Sequence, residues 1–454
     1  MNILLIRPPR IKQAITLSDF MFSEPLGLEM IYGVIKENYT VEIFDMMIEN
    51  MSLSEKIRIN KVDIIGVTSL CIDVNMVKEL CKEVKKEDKN IITFIGGTQT
   101  YLNPEAFIDW NIDYIFEYTN KENLNIFCSL LEKGLEVENI DGILSKNTGY
   151  KSTGIEMRNE YLFPDREATK KYRDKYSYFG YRPAAIMEFG MGCNKLCDFC
   201  LRWRIEGAKE KLIDLELTKR DLIQIKEPTI MFIDNDFFAN REKIESFINI
   251  AKELNLKKNY IVYGSVKGII EYEDLIKDFV DLGLKAILVG YESFDDKEMN
   301  DYNKKSTTSD NYKAAQILKS LGVDVWASFI AHPDWSKKDF KFMRKYIKKL
   351  EPEISSINPL TPFPNLPMYE EYFDRLLYEK EDYEKWSFGQ VIISPSNMSL
   401  KSYYYELLKT NLYVNLFINK KTDMIKHYGI KNIFRILFGS LTAMKKYIVL
   451  MLES

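Results

Sequence analysis

Short apolar runs alternate with amphipathic stretches along the first 150 residues. Asn2 to Ile6, Tyr39 to Phe44, Ile64 to Ser69, Ile91 to Ile95 and Tyr114 to Phe116 read as strands, while Leu26 to Glu37 and Val74 to Lys86 repeat at helical spacing. Strands that are apolar throughout need cover on both faces, and helices placed between them supply it. The rhythm therefore predicts an α/β, doubly wound, Rossmann-like domain over residues 1–150. Ligands of such sheets sit at the carboxyl ends of the strands, where Arg7, Pro8 and Pro9, Thr68 and Ser69, and Gly96 and Gly97 fall. Each of these is also ordinary turn chemistry.

Residues 151–182 are polar and turn-rich without a sustained period, and read as a linker. A second rhythm follows, with strands at Ala184 to Phe189, Thr229 to Ile233, Tyr260 to Tyr263, Ala286 to Gly290, Val323 to Ala331 and Ile354 to Ile357. Amphipathic stretches at Thr218 to Lys226, Glu242 to Leu254, Tyr272 to Leu282, Ser309 to Leu321 and Lys338 to Leu350 separate them. Six such units over 183–370 predict a partial (β/α)6 barrel with its chemistry at the strands' carboxyl ends. Residues 371–454 lose the rhythm, gain Tyr, Phe and Lys, and read as a small, mainly helical C-terminal module.

Composition narrows the function. With 454 residues, 46% apolar and 29% charged, the chain is globular, and 63 basic against 67 acidic residues leave no positive field for nucleic acid. Six cysteines are too few for a disulfide scaffold, and MNILLIRPPR lacks the pattern of a secretory leader, so a reducing, cytoplasmic location is expected. The most apolar stretch, Ile433 to Leu452, is interrupted by Arg435, Lys445 and Lys446, so no spanning helix is expected.

Half of the cysteines lie in one octet inside MGCNKLCDFCLRW, as Cys193, Cys197 and Cys200 just after the first barrel strand. Three thiolates on a tight loop suit a [4Fe-4S] cluster with one open corner, or zinc. A structural zinc site wants a fourth ligand, and the two histidines, His332 and His427, are distant in sequence.

The CxxxCxΦC spacing, with Phe199 as its aromatic, resembles the signature of the radical S-adenosylmethionine enzymes. The resemblance implies a [4Fe-4S] cluster on the three cysteines, with S-adenosylmethionine at the open iron. It implies S-adenosylmethionine contacts at Phe199, at Asp234 and Asn235 in the Asp234–Asp236 triplet, at Glu292 and Ser293 in GYES, and at Ser328 on the fifth strand. TPFPNLPMY, Thr361 to Tyr369, is similar to the family's loop after the sixth strand, although Asn365 replaces the usual glycine.

An N-terminal doubly wound domain ahead of this barrel is similar to the cobalamin-binding subclass of that family. The marks are RPP, SEPLGLEMI, VEIFDM, DIIGVTS, FIGGTQT and DYIFE, in order. They imply cobalamin contacts at Pro8, Pro25, Leu26, Gly27, Thr68, Ser69, Gly96, Gly97 and Glu117. The chain has no DxHxxG sequence and no histidine before His332, so the resemblance implies cobalamin without a histidine lower ligand.

The implied function is methyl transfer to an unactivated carbon of a small-molecule, lipid-like or natural-product substrate, with an external electron donor such as flavodoxin or ferredoxin. Cyclisation, oxidation or carbon-carbon coupling with the same cofactors, and a non-catalytic iron-sulfur- or corrinoid-binding regulator, are the alternatives. Residues 411–454 carry six Lys and one Arg against Asp423 and Glu453. The expectation for this tail is helices packed on the barrel, with peripheral membrane contact as the second reading.

Overall fold

The computed structural model describes residues 1–9, 11, 21–151, 160–418 and 421–453, so most of KSTGIEMRNE in the expected linker, and Lys420 of the tail, lie outside the described residues. The chain divides into two compact units. The first comprises 1–14, 24–172 and 380–387, and the second the remainder.

The first unit runs β1 (Asn2–Arg7), α1 (Leu26–Ile35), β2 (Thr40–Asp45), α2 (Leu53–Asn60), β3 (Ile64–Thr68), α3 (Val74–Glu87), β4 (Ile92–Gly96), α4 (Thr98–Leu102), β5 (Tyr114–Phe116), α5 (Lys121–Glu132) and β6 (Ile143–Ser145). Sheet order is β2-β1-β3-β4-β5-β6, parallel except for β6, which pairs antiparallel with β5. Alternate strand residues feed two cores. Leu4, Ile6, Ile65, Val67 and Ile95 join one, and Ile3, Leu5, Ile64 and Phe94 the other. Double cover is why these strands read as unbroken apolar runs. Strand order reverses between β1 and β3, the switch point at which such sheets bind ligands.

Two features depart from expectation. β6, a three-residue strand antiparallel to β5, falls where the sequence pattern predicted no strand. The expected linker is largely structured: Arg166–Lys175 forms 3-10 turns, and Arg166 is buried with Nη1 3.0 Å from Glu24 and 3.1 Å from Glu29. Its polar sequence concealed this because the burial is of an ion-paired arginine rather than of an apolar stripe.

The second unit contains β7 (Ala184–Met187), β8 (Gly190–Met191), α6 (Arg202–Glu206), β9 (Lys211–Leu212), α7 (Leu215–Gln224), β10 (Thr229–Phe232), α8 (Arg241–Glu253), β11 (Asn259–Gly264), α9 (Val266–Glu271), α10 (Glu273–Leu282), β12 (Leu284–Glu292), α11 (Asp296–Asp301), α12 (Thr308–Ser320), β13 (Asp324–Ala331), α13 (Lys337–Leu350), β14 (Ile354–Pro359), α14 (Pro367–Glu371), α15 (Leu400–Tyr413) and α16 (Lys421–Glu453). The strands β7, β10, β11, β12, β13 and β14 pair in parallel in chain order, as an open six-stranded sheet. The short ribbon β8-β9 stands apart.

Alternation again separates two faces. Ala185, Met187, Ile230, Phe232, Val262, Val289, Ala327 and Ile357 pack with the helices in the main core. Tyr263, Leu288, Ser328, Ile330, Ser356 and Asn358 take the other face and stay half-buried. Part of that inner face is filled from the expected linker: the Tyr178 and Tyr263 hydroxyls meet at 2.9 Å, and Phe179 lies edge-on to Trp326 at 4.5 Å. From the C-terminal segment, the described residues Tyr403, Tyr404, Leu407, Val414 and Tyr447 join the barrel core.

Candidate active site

The three cysteines lie on one loop between β8 and α6. Gly192 opens the loop at φ +84°, and a Cβ there would stand 2.2 Å from the Lys209 carbonyl oxygen, so only glycine fits. The loop is closed by the Cys193 amide donating to Gly207 (3.0 Å) and the Trp203 indole donating to the Cys197 carbonyl (2.9 Å). Cys197 is buried, Cys193 and Cys200 are half-buried, and all three are free thiols. Burial pushes the Cys197 thiol up to about 11 although the Lys304 ammonium pulls it down, and burial also raises Cys193.

A strip after α11 clasps this loop. The Asp198 amide donates to the Tyr302 carbonyl (3.2 Å), the Phe199 ring stands edge-on to Tyr302 (5.7 Å), and Asn303 Nδ2 donates to the Leu196 carbonyl (3.0 Å). Leu196 holds φ +54°, a left-handed conformation costly for a branched side chain, so the clasp fixes a strained backbone at the loop's centre. Lys304 then pairs with Glu292 at 2.7 Å. Glu292 itself sits at φ +59° at the end of β12.

At the end of β10, the triplet Asp234–Asp236 divides its labour. Asp234 is spent inside the chain: Oδ1 accepts from the Phe189 amide (2.8 Å), and Oδ2 pairs with the buried Lys243 (2.7 Å). Asn235 Nδ2 donates to Glu206 (2.9 Å) and to the Gly192 carbonyl (3.1 Å), which ties the triplet to the cysteine loop. Asn235 Oδ1 and Asp236 Oδ2 are buried and accept no hydrogen bond, with Lys195 3.7 Å from the latter. Ser293 is also engaged internally, accepting from the Asp295 amide (3.1 Å) and donating to Glu298. Ser328 is half-buried on the inner face of β13, opposite Gly290 of β12.

These residues fit the implied groups. Three soft donors on one loop suit three irons of a cubane, and two buried acceptors beside them that receive no hydrogen bond suit an ammonium such as the amino group of S-adenosylmethionine. Sequence reasoning missed Lys243, Asn303 and Lys304 as supports. Lysines and asparagines are abundant here, and only the folded contacts distinguish these three.

In the first unit, Pro8, Thr68 and Ser69, Gly96 and Gly97, and Glu117 stand at the carboxyl ends of β1, β3, β4 and β5, four neighbours in the sheet. Pro25, Leu26 and Gly27 open α1, on the turn that Arg166 anchors through Glu24. The two glycines differ. A Cβ on Gly97, at φ +113°, would lie 2.9 Å from the Ser69 backbone, so this glycine serves the turn itself. A Cβ on Gly96 would meet nothing closer than Phe116 at 3.9 Å, and one on Gly27 would meet nothing within 4 Å. The open space is thus over Gly96 and Gly27, which fits close approach of a large planar ligand there.

Comparison with known proteins agrees with both halves. Residues 187–347 match the Radical SAM superfamily, and residues 14–141 match the B12 binding domain. The chain is 24% identical to the hopanoid C-3 methylase of Methylococcus capsulatus, over 86% of this chain and 76% of that protein. It is 25% identical to the anaerobic magnesium-protoporphyrin IX monomethyl ester cyclase of Rubrivivax gelatinosus, over 82% of this chain and 70% of that one. The fold is shared with OxsB, a cobalamin-dependent S-adenosylmethionine radical enzyme solved with aqua-cobalamin and S-adenosylmethionine, at a TM-score of 0.71 and 15% identity, over 98% of this chain and 79% of that one. Thiol loop, sheet order and both matched domains thus converge on one conclusion: the chain belongs to the radical S-adenosylmethionine enzymes that carry a cobalamin-binding domain.

Proposed function

We propose that this enzyme transfers a methyl group to an unactivated carbon of an apolar small molecule. The observation that carries the reading is the presence in one chain of a three-thiol loop, flanked by buried acceptors that receive no hydrogen bond, and a doubly wound domain that contains no histidine. A corrinoid held without a histidine ligand on its lower face is suited to carrying methyl.

In this reading Cys193, Cys197 and Cys200 hold the cluster, with Phe199 packed beside it. Asn235 and Asp236 receive the amino group of S-adenosylmethionine, and Glu292 and Ser328 face the rest of that molecule. Asp234 and Ser293 are positioning residues, since their polar atoms already have partners. Pro8, Pro25 to Gly27, Thr68, Ser69, Gly96, Gly97 and Glu117 form the cobalamin edge. When bound, these groups supply a hydrogen-abstracting radical and a methyl donor; the protein's part is to orient them, exclude water and hold charge in place.

The substrate class rests on one apolar cluster. Tyr302, Leu360, Met368, Tyr372 and Ile393 pack together with Phe199 and Ile330 at the margin, so the residue next to Cys200 borders an apolar wall. His332 supplies a polar point on it: Nδ1 accepts from the Asp334 amide (3.1 Å), which leaves the proton on Nε2, 3.5 Å from the Tyr372 hydroxyl. An external one-electron donor such as flavodoxin or ferredoxin completes the system.

Radical cyclisation is the second reading, favoured by the similarity to the cyclase. Anaerobic reconstitution with deuteromethyl-labelled S-adenosylmethionine separates the two. Formation of 5'-deoxyadenosine with labelled methyl in the product supports methyl transfer, and 5'-deoxyadenosine with no label in any product supports cyclisation.

A further inference from the structure

Helix α16 has two apolar faces, and the barrel uses only one. Tyr447 joins the barrel core, with Met444, Leu450 and Met451 packed against it. On the other side Phe434, Phe438, Leu441, Ile448 and Leu452 remain between 41% and 74% exposed. At 3.6 residues per turn these five fall within an arc of about 80° and run about 27 Å along the helix. Lys445, also exposed, lies inside the same arc.

Five exposed aromatic and aliphatic side chains along one helix face are unfavourable in water, so something covers them. Charge decides between the occupants. Residues 411–454 carry a surplus of five positive charges in a chain whose net charge is -4. A second copy docked through the same face would set two such surpluses against each other, whereas an anionic surface would neutralise them. No helix among the described residues is long and apolar enough to cross a membrane, but an exposed apolar helix face in a lysine-rich segment can lie along one.

We propose that the Phe434–Leu452 face of α16 seats in the headgroup region of an anionic lipid bilayer, with Lys445 reaching up to the phosphates. The docking stands on the helix alone and holds whichever reaction the enzyme performs.

The test is flotation of the reconstituted full-length holoenzyme with vesicles of phosphatidylcholine, alone or with phosphatidylglycerol. Binding is expected only with the anionic lipid, and it should weaken as salt rises above about 0.1 M, where screening acts over about 10 Å. Phe438→Asp with Leu441→Asp should cut the vesicle-bound fraction about tenfold. Both positions are exposed, so melting temperature and 5'-deoxyadenosine yield should not change. Absence from anionic vesicles at low salt overturns the proposal, as does equal binding to both vesicle types. A dimer in sedimentation that the same double variant dissolves overturns it in favour of a second copy.

Discussion

Lys304 Nζ lies 2.7 Å from Glu292 Oε1, with the glutamate buried and the lysine half-buried. The pair joins the end of β12 to the strip that clasps the cysteine loop, and Gly290 makes room for it: a Cβ there would stand 2.1 Å from Glu292 Oε1 and 3.0 Å from Lys304 Nζ. A buried pair of this kind is unforgiving when halved. Lys304→Met should cost about 3–5 kcal/mol by leaving the Glu292 carboxylate unpaired, and should lower the iron bound per chain. The double variant Lys304→Met, Glu292→Gln should recover most of the melting temperature, because no buried charge is then stranded. A double-mutant cycle that shows additive losses would remove the coupling.

The cysteines divide into two classes with opposite expected outcomes. Alanine at Cys193, Cys197 or Cys200 should abolish 5'-deoxyadenosine formation while the fold persists. Cys71 and Cys128, whose thiols burial pushes up to about 12, and the fully buried Cys81 sit in or against the first unit's cores. Their alanine variants should lose stability and keep cleavage activity.

Cys197 sets a pH dependence. With its thiol near 11, only a small fraction is thiolate at neutral pH, and that fraction rises about tenfold per pH unit below the pKa. Alkylation of Cys197 in cluster-free protein, followed by mass spectrometry, should accelerate accordingly from pH 7 to 9. A flat rate would mean that Lys304 outweighs burial.

Lys243 is shared by Asp234 at 2.7 Å and by Glu210, and burial among these neighbouring carboxylates pushes Glu210 up to about 6. The native state therefore holds a proton that the unfolded chain, at 4.5, releases earlier. Stability from this group is present below pH 4.5 and is lost as pH rises through about 6, a change of about 2 kcal/mol at 1.36 kcal/mol per unit. Unfolding followed across that window should show the fall, and Glu210→Gln should flatten it.

Gly96 and Gly97 should separate binding from folding. Gly97→Ala is expected to lower stability by about 1–3 kcal/mol, from its positive φ and its contact with Ser69. Gly96→Leu should fold and lose cobalamin uptake, read from the corrinoid absorbance. Equal cobalamin binding in Gly96→Leu would move the ligand away from β4.

Local patterns determined a great deal. Period-two and unbroken apolar runs located eleven of the strands to within a few residues, because burial on one or both faces leaves a repeat that needs no distant partner. The three-thiol loop was equally plain, since its ligands are seven residues apart at most. Asn365, noted as a departure from glycine, holds φ +75°, a conformation asparagine tolerates better than other side chains, so the backbone requirement survives the substitution. Tertiary structure alone decided the rest. Arg166 buries a polar segment through carboxylates 142 and 137 residues away, and 380–387 joins the first unit, whose cores precede it by more than 200 residues. Lys243, Asn303 and Lys304 support the site only because the fold brings them to Asp234, Leu196 and Glu292. The paired and the bare side of α16 likewise differ by what packs against them and not by composition. Contacts between residues far apart in the chain leave no periodic trace, and it is these that turn the thiol loop into a site.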